Sequence, residues 1–260
     1  MRDLASKVMD IAKEAGKAIM VIYGDTAAWE VEKKSDNSPL TKADRRANKV
    51  ICKGLEDLPG FHRYPIVSEE NKEIAYEIRK TFSRYWLVDP LDGTKEFIKR
   101  NGEFTVNIAL IEDGKPILGV VYVPALDEMY WAATGQGAWK ISGEEETKLK
   151  AKTFKLEDSG LKLVCSRSHL SPETEAFVSK FKEPELVSKG SSLKFLILAT
   201  GEADIYPRLA PTMEWDTGAA QVVLEEAGGK VLQWEEEVPV AYNKENLLNP
   251  FFVAYGNLHS

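Results

Sequence analysis

Cysteine and histidine, the residues that build disulfide frameworks and most zinc sites, are scarce in this chain of 260 residues. Its two cysteines, Cys52 and Cys165, lie far apart in the sequence, and no second ligand motif accompanies them. They could form one disulfide, but such sparse use of cysteine is typical of proteins in a reducing cytosol. We therefore expect a cytoplasmic protein without a disulfide framework.

Long apolar runs and long basic runs are also missing. No stretch approaches the roughly 18 apolar residues that a membrane-spanning helix needs, so no transmembrane segment is expected. Asp10, Lys13, Glu14 and Lys17 interrupt the N-terminal segment, which therefore lacks the apolar core of a signal peptide. The net charge of −7 disfavours a nucleic-acid polymer as the main partner. A small phosphorylated ligand needs only a local positive site and is compatible with this charge.

The composition that is present, 43% hydrophobic and 29% charged residues, is that of a globular protein. A chain of this length forms one large domain or two smaller units that share a sheet. The first part predicts helices at 2–22 and from Thr41 onwards, with extended or loop-like residues at 25–40 between them. It also predicts a β-hairpin of strands 104–111 and 116–123. Further strands are expected at 65–70, 85–89, 127–132 and 137–141.

Residues 143–158 are polar and highly charged, and they form the best candidate boundary between two units. After them, strands and helices alternate, which predicts an α/β unit. We therefore divide the chain into an α+β unit at 1–145, which carries most candidate metal ligands, and an α/β unit at 146–260, which completes the site. The strands expected in the second unit lie at 161–165, near 185, and at 203–209, 230–234 and 251–256; its helices begin near 171, 191 and 216.

The stretch WLVDPLDGTKEF (86–97) places two carboxylates three residues apart at the end of an apolar strand. Pro90 is expected to stop this strand after Asp89, and Asp92 follows just before the turn at Gly93. Two unit charges about 4 Å apart repel by roughly 4 kcal/mol at an effective dielectric constant near 20. The pattern therefore predicts that a cation lies between Asp89 and Asp92.

Other carboxylates lie at the ends of predicted elements, since Glu69 and Glu70 close a strand and Asp216 opens a helix. Without a histidine or cysteine cluster, ligation by oxygen atoms alone indicates a hard cation, Mg²⁺ or Mn²⁺. Several carboxylates can hold two such ions about 3.5–4 Å apart, an arrangement that suits phosphoryl chemistry. The backbone N–H groups of Gly93 and Thr94, at a tight turn, are suited to bind a phosphate oxygen.

Each of these acidic residues also has an explanation that involves no chemistry. Asp89 could be a strand-end acid without a partner, and Glu70 could be a solvated neighbour of Glu69. Asp216 is well explained as the N-cap of its helix, and Asp44 as the N3 residue of a capping box. The acidic residues are more informative as a set than singly, because the non-chemical explanation would need a separate coincidence for each of them.

Three motifs carry a resemblance to a known family. DPLDGTKEF (89–97) resembles the D-P-[IL]-D-G-T signature of the inositol monophosphatase superfamily. VSEE (67–70) resembles the upstream glutamate motif of that superfamily, and WDTGAA (215–220) its downstream W-D motif, in matching order and spacing. Inositol monophosphatases typically carry T-N-F after the D-G, where this chain has TKEF. Three further stretches look like the CysQ-type 3′(2′),5′-bisphosphate nucleotidases: DNSPLTKAD (36–44), the segment 92–116, and GSSLKF (190–195).

This resemblance implies a layered αβαβα sugar-phosphatase fold, dependence on two or three Mg²⁺ ions, for which Mn²⁺ can substitute, and sensitivity to Li⁺. It assigns Asp44 and Thr94 to the orientation and deprotonation of the attacking water. The residue types agree, since a threonine hydroxyl can accept a hydrogen bond from water while it donates one to a carboxylate. The metal ligands that the resemblance implies are Glu69, Asp89, the Leu91 carbonyl, Asp92 and Asp216.

The expected reaction removes the 3′-phosphate from adenosine 3′,5′-bisphosphate and yields AMP. Inositol phosphates or fructose 1,6-bisphosphate are the alternative substrates, and a non-catalytic metal- or ligand-binding protein is the alternative class.

A second phosphate would need further cations, for which Lys194 and Arg208 are candidates; a solvated lysine and a structural ion pair are the competing explanations. The oligomeric state stays open, a homodimer included. The candidate substrate contacts are Gly93, Thr94, Lys95, Gly190, Ser191, Ser192, Lys194 and Arg208.

Overall fold

The protein folds into five layers of helices and sheets, which alternate from one side of the molecule to the other. The order is helix, sheet, helix, sheet, helix, so the expected α/β class and αβαβα layering are confirmed. In the part of the chain that is described, no helix is long and apolar enough to cross a membrane. The computed structural model describes residues 1–25, 31–33, 39–165 and 170–259, with the backbone alone at 31–33 and 39–41.

The first layer is a pair of helices joined by a short antiparallel ribbon. These elements are α1 (Arg2–Gly24), β1 (Val31–Lys33), β2 (Pro39–Thr41) and α2 (Lys42–Glu56). Both helices bury one apolar side, as the helical spacing of their sequences predicts. The side chain of Thr41, where a capping box was expected, lies outside the described part of the chain, as does most of the stretch 25–40.

The second layer is a seven-stranded sheet that packs against α1 and α2. Its strands and the short helices between them are β3 (Ile66–Ser68), α3 (Tyr76–Arg79), β4 (Arg84–Asp92), α4 (Thr94–Ile98), β5 (Thr105–Glu112), β6 (Lys115–Val123), β7 (Glu128–Ala133), β8 (Ala138–Ser142) and β9 (Glu145–Lys148). Each strand pairs with the next along the chain, and every pair is antiparallel except β3–β4. Asp113 and Gly114 both have positive φ angles, which a two-residue hairpin turn requires, so the predicted hairpin is confirmed.

The remaining layers are two packed helices, a five-stranded sheet and an outer helix. The elements that form them are β10 (Thr153–Phe154), β11 (Lys162–Val164), α5 (Pro172–Val178), β12 (Glu185–Val187), α6 (Leu193–Ala199), β13 (Ile205–Arg208), α7 (Glu214–Glu226), β14 (Lys230–Gln233), β15 (Phe252–Tyr255) and β16 (Asn257–Leu258). The second sheet has the order β12-β11-β13-β15-β14. All elements expected after residue 158 are found within two residues of their predicted positions.

Helix α7 lies between the two sheets and is buried along most of its length. Its alanine and valine residues share one apolar core with Leu87 of the first sheet and Phe252 of the second. Strand β6 approaches the helix so closely that a Cβ atom at Gly119 would lie 2.2 Å from the Ala219 carbonyl oxygen. This close packing fixes the start of α7 relative to the end of β4, where the candidate carboxylates lie.

Strand β4 differs from the prediction, because it continues through Pro90 to Asp92 instead of stopping after Asp89. Its register with β5 shifts between Asp89 and Asp92, which marks a bulge. A proline removes a backbone donor that a regular ladder would need, but a bulge leaves that position unpaired and tolerates it. The consequence is functional, since the bulge changes the direction of the chain between the two aspartates.

The charged segment 143–158 contains ordered strands. Strand β9 extends the first sheet three residues beyond the predicted boundary at 145, and β10 pairs in parallel with β16 near the C-terminus. The core around α7 draws residues from both sides of that boundary. The division into units 1–145 and 146–260 stays a prediction.

Candidate active site

The end of β4 supplies two of the candidate metal ligands. Asp89 is almost fully buried, with 1% of its surface exposed, and its Oδ1 accepts a hydrogen bond from the Leu91 N–H at 3.0 Å. This bond closes the bulge and leaves the next carboxylate, Asp92, only partly buried. The Leu91 carbonyl oxygen faces the same region, since the Thr94 hydroxyl lies 3.4 Å from it. The short motif therefore presents oxygen atoms from both backbone and side chains.

Asp216 joins these two aspartates from the start of α7. One carboxylate oxygen of each of Asp89, Asp92 and Asp216 lies within 4.8 Å of the others. Asp216 is not the N-cap that the sequence favoured: Met213 holds that position, and Asp216 is the N3 residue. The Asp216 carboxylate accepts a hydrogen bond from the Met213 N–H at 2.9 Å. Asp216 therefore contributes to capping as the third helical residue, by bonding to the backbone of the N-cap.

The electrostatics of the cluster are those of a cation site. Burial raises the pKa of Asp89 well above its usual range, and the neighbouring Glu69 and Asp92 carboxylates raise it further. Burial and the charge of Asp92 likewise raise the pKa of Asp216 to about 8, although Arg208 works in the opposite direction. Carboxylates that repel one another in this way ionise together only when a cation compensates them. An all-oxygen set of this kind fits a hard divalent ion.

Glu69 belongs to the same cluster because β3 and β4 run in parallel. Its N–H donates to the Val88 carbonyl oxygen at 3.2 Å, so the ladder continues one residue beyond β3. Its carboxylate reaches Asp89 and contributes to the raised pKa of that residue. Glu70 lies one residue farther along the turn, is half-buried, and donates its N–H to the Ser68 hydroxyl oxygen at 3.4 Å. Glu69 thus contacts Asp89, and its role as a metal ligand stays a prediction.

Asp44 and Thr94, predicted to act on water, are in direct contact. The Thr94 hydroxyl donates to Asp44 Oδ1 at 3.1 Å, although 50 residues separate them in the sequence. Asp44 is 1% exposed and comes from the first turn of α2, whereas Thr94 is the first residue of α4. Gly93 precedes it with φ at 93°, a left-handed conformation that favours glycine. The hydroxyl oxygen keeps a lone pair for a hydrogen bond from water.

A cavity of about 860 Å³ opens beside Asp92 and Asp216. A second cavity of about 470 Å³ shares both aspartates and Gly93 with it and adds Glu69 and Thr94. The larger cavity is wide enough for a ligand of nucleotide size. The predicted substrate contacts that line it are Gly93, Lys95, Gly190, Ser191, Ser192, Lys194 and Arg208.

The two predicted cations of this cavity are held by backbone oxygens. The Lys194 ammonium donates to the Ser191 carbonyl oxygen at 3.1 Å and lies 5.8 Å from the centre of the Tyr206 ring. Arg208 Nη2 donates to the Pro211 carbonyl oxygen at 2.9 Å. Arg208 also lies close enough to lower the pKa of Asp216. Both side chains therefore line the cavity, and their contact with a substrate stays a prediction.

Three predicted substrate contacts have partners within the protein. The Ser191 and Ser192 hydroxyls lie 2.7 Å and 2.9 Å from Asp92 Oδ2, to which they donate. The Gly190 N–H donates to Glu103 Oε2 at 2.8 Å. Their direct contact with a substrate therefore stays a prediction, whereas the two serines visibly orient Asp92. This leaves the other oxygen of Asp92 available to an ion.

Asn107 is a site residue that sequence reasoning missed, and Glu214 is a buried acid close to the site in sequence. Asn107 is buried on β5 and donates to the Ser192 hydroxyl oxygen at 2.9 Å, which helps that serine to hold Asp92. Glu214 is fully buried two residues before Asp216, and its Oε1 accepts from the Lys244 ammonium at 2.6 Å. In the sequence Glu214 is one more acid beside Asp216, and Asn107 is one polar residue in an apolar strand. Only the second signal, a polar residue inside a buried strand, could have been noticed.

Comparison with known proteins identifies the family. A sequence model described as the inositol monophosphatase family matches residues 1–255. The 3′(2′),5′-bisphosphate nucleotidases CysQ of Salmonella typhimurium and Escherichia coli K12 are each 47% identical over 251 residues, which cover 96% of this chain and 98% of theirs. The crystal structure of CysQ from Bacteroides thetaiotaomicron aligns with a TM-score of 0.86 at 42% identity, covering 99% of this chain and 98% of that one. The resemblance of the motifs is thereby confirmed, and the chain belongs to the inositol monophosphatase family.

Proposed function

We propose that this protein is a phosphatase that removes the 3′-phosphate from adenosine 3′,5′-bisphosphate and releases AMP and inorganic phosphate. The observation that carries this proposal is the contact between Thr94 and Asp44, 3.1 Å long, beside a cluster of carboxylates. A protein that only binds metal has no need of a buried carboxylate that accepts from a threonine hydroxyl. The names of the CysQ relatives point to the same reaction class.

The cluster would hold two or three Mg²⁺ ions, for which Mn²⁺ can substitute. The ligands would be Glu69, Asp89, the Leu91 carbonyl oxygen, Asp92 and Asp216, a set made only of the oxygen donors that these ions prefer. When bound, such ions lower the pKa of water and offset the negative charge of the phosphoryl group. The raised pKa values of Asp89 and Asp216 support the assignment, because they record the charge repulsion that a cation would relieve.

Asp44 and Thr94 would prepare the attacking water. The Thr94 hydroxyl accepts a hydrogen bond from water and donates its own proton to Asp44, which fixes the orientation of both. Water would then attack phosphorus and give up a proton through the Thr94 hydroxyl to Asp44. The bond between phosphorus and the ribose 3′-oxygen would break, and that oxygen would leave as a hydroxyl after taking up a proton from solvent. The N–H groups at Gly93 and Thr94 lie at the same turn and would bind a phosphoryl oxygen.

The wide cavity favours a nucleoside bisphosphate over a smaller substrate. Lys194 and Arg208 line it, and both are cations that a second phosphate could use. The apolar residues Val164, Leu170 and Phe252 also line the cavity and could contact a base. Inositol phosphates and fructose 1,6-bisphosphate remain the second candidates, because the same carboxylates and water-activating pair would serve them.

Product analysis tests the proposal directly. The purified protein is incubated with adenosine 3′,5′-bisphosphate and Mg²⁺, with EDTA in a parallel reaction, and the nucleotides are separated by chromatography. We expect AMP carrying the 5′-phosphate and one equivalent of phosphate, formed only with Mg²⁺ and inhibited by Li⁺. Adenosine 3′-phosphate as the product would mean that the wrong phosphate is removed. Absence of phosphate release from every phosphorylated substrate, with metal binding intact, would leave the binding-protein alternative.

A further inference from the structure

Helix α2 brings a second polar side chain to the site besides Asp44. Asn48 lies four residues after Asp44, and residues at this spacing share one face of a helix about 6 Å apart. Asp44 faces Thr94 at the water-activating end of the site. Asn48 faces a different element, the turn that follows β3 and carries Glu69.

The turn spans four residues, from Ser68 to Asn71. The Asn71 N–H donates to the Ser68 carbonyl oxygen at 3.2 Å, so Glu69 and Glu70 are the two central residues of a β-turn. Glu69 is the residue of this turn whose carboxylate reaches Asp89. Its position therefore depends on how firmly the ends of the turn are held.

The carboxamide of Asn48 bonds to both ends of this turn. Its Oδ1 accepts from the Ser68 hydroxyl at 2.7 Å, and its Nδ2 donates to Asn71 Oδ1 at 2.8 Å. An amide is suited to this task because it offers an acceptor and a donor on one rigid plane. On the other side of the turn, the Glu69 N–H is bonded to Val88 of β4. The turn is thus fixed between α2 and the strand that carries Asp89.

We propose that Asn48 is a positioning residue that holds Glu69 at the metal centre and fixes the distance between Glu69 and Asp44. One helix would then set the distance between the water-activating pair and a metal ligand. This inference rests on the proposed metal site at Glu69. Mutation of a residue that orients a metal ligand usually lowers metal affinity or activity by about 10- to 100-fold.

Cys52 offers a readout that does not depend on activity. It lies one turn after Asn48 on α2, half-buried, and its Sγ is 3.5 Å from Asn48 Oδ1 and 3.6 Å from Asn71 Nδ2. If Asn48 links the turn to α2, metal bound at Glu69 should tighten the contacts around this thiol. Alkylation of Cys52 should then be slower with metal than without it.

The experiment measures Mn²⁺ affinity by calorimetry and the rate of Cys52 alkylation with and without Mn²⁺. The background variant is Cys165→Ser, which leaves one thiol. We expect Asn48→Ala to weaken Mn²⁺ binding about 10-fold and to remove the protection of Cys52 by metal. Asn71→Ala, at an exposed position, should weaken binding less. The double variant should match Asn48→Ala alone, because both changes break the same connection.

Lys49→Ala is the matched control, since Lys49 is an exposed neighbour on the same helix. It should bind Mn²⁺ and protect Cys52 as the parent does. If Asn48→Ala behaves like Lys49→Ala in both measurements while the parent binds metal, the positioning role is refuted and the proposed phosphatase function stands. If the parent itself binds no Mn²⁺, the metal site fails, and this inference fails with it.

Discussion

The acidic wall and the cationic wall of the candidate site are built in different ways. The acidic wall consists of Glu69, Asp89, Asp92 and Asp216, of which Asp92 and Asp216 line the larger cavity. Their positions follow from strand ends, a bulge and the start of α7. The cationic wall consists of Lys95, Lys189, Lys194 and Arg208, long side chains that are exposed or half-buried.

This difference separates chemistry from recognition. The carboxylates of the acidic wall are buried or partly buried and are held by backbone geometry and by the hydroxyls of Ser191 and Ser192, so a small displacement there should affect the reaction strongly. Lys194 and Arg208 on the cationic wall are held by single hydrogen bonds to carbonyl oxygens, which a phosphate could replace at modest cost. Substitutions in the two walls should therefore differ in the size of their effects and in the kinetic parameter that changes.

The largest effect is expected from Asp89→Asn. In the proposed metal site Asp89 would be a ligand, and an amide is a poorer ligand than a carboxylate, so turnover should be nearly abolished. Thermal unfolding of the metal-free variant should occur at the same or a higher temperature than in the parent, because the substitution removes repulsion among clustered acids. Near-normal turnover in saturating Mg²⁺ would show that Asp89 is not a metal ligand.

Asp44→Asn should lower kcat by about 10²-fold or more, the usual scale of general-base catalysis, with a modest change in KM. Asparagine retains the shape of aspartate and can still accept from Thr94, but it takes up a proton poorly. The measurement is steady-state kinetics combined with thermal unfolding. A variant that loses stability while kcat holds would indicate that Asp44 only caps its helix.

On the cationic wall, Lys194→Ala and Arg208→Ala should each raise KM for adenosine 3′,5′-bisphosphate. The loss of a charge-assisted contact costs about 1.5–3 kcal/mol, and kcat should change less. The same variants should matter less for inositol monophosphate, which has no second phosphate. Equal losses with both substrates would assign these residues to the scissile phosphate instead.

The smallest effect, and a test of the acidic wall alone, is the pH dependence of metal binding. Burial and the charge of Asp92 raise the pKa of Asp216 to about 8, and an ion in the proposed metal site would bind the ionised form, so binding below that pH should displace a proton. Affinity should rise by at most about tenfold per pH unit for each proton displaced and level off above pH 8. Calorimetry in buffers of different ionisation enthalpy measures the protons released.

The stability of the metal-free protein should depend on pH in the opposite direction from the metal affinity. Because the folded protein holds a proton on Asp216 that the unfolded chain loses near pH 4, the stability of the metal-free protein should fall between pH 4 and pH 8. Added Mg²⁺ should restore it at the upper end of this range. A metal-free protein whose unfolding temperature does not decline across this range would contradict the raised pKa.

Much of the fold could be predicted because its signals are local. The hairpin at Asp113 and Gly114 and the alternating elements after residue 158 depend on turn chemistry and periodicity, and both are visible in short windows. Pro90 misled the prediction, because whether a proline ends a strand or occupies a bulge depends on the neighbouring strand β5.

In the candidate site, too, some features could be predicted from the sequence and others could not. The acidic motifs were visible because carboxylates at strand ends are unusual, and their clustering follows from the fold. Met213 as the true N-cap, and the hydroxyls of Ser191 and Ser192 on Asp92, could not be predicted. The two serine contacts join residues about 100 positions apart, and no spacing rule connects them. Asn48 escaped notice for a similar reason, since its partners lie on another element.

A comparison of kcat/KM for adenosine 3′,5′-bisphosphate and inositol monophosphate, both with saturating Mg²⁺, decides the proposed substrate. We expect a clear preference for the bisphosphate, loss of both activities with EDTA, and a preference that diminishes in Lys194→Ala and Arg208→Ala. Hydrolysis of inositol monophosphate at least as efficient as that of the bisphosphate would contradict the proposed substrate.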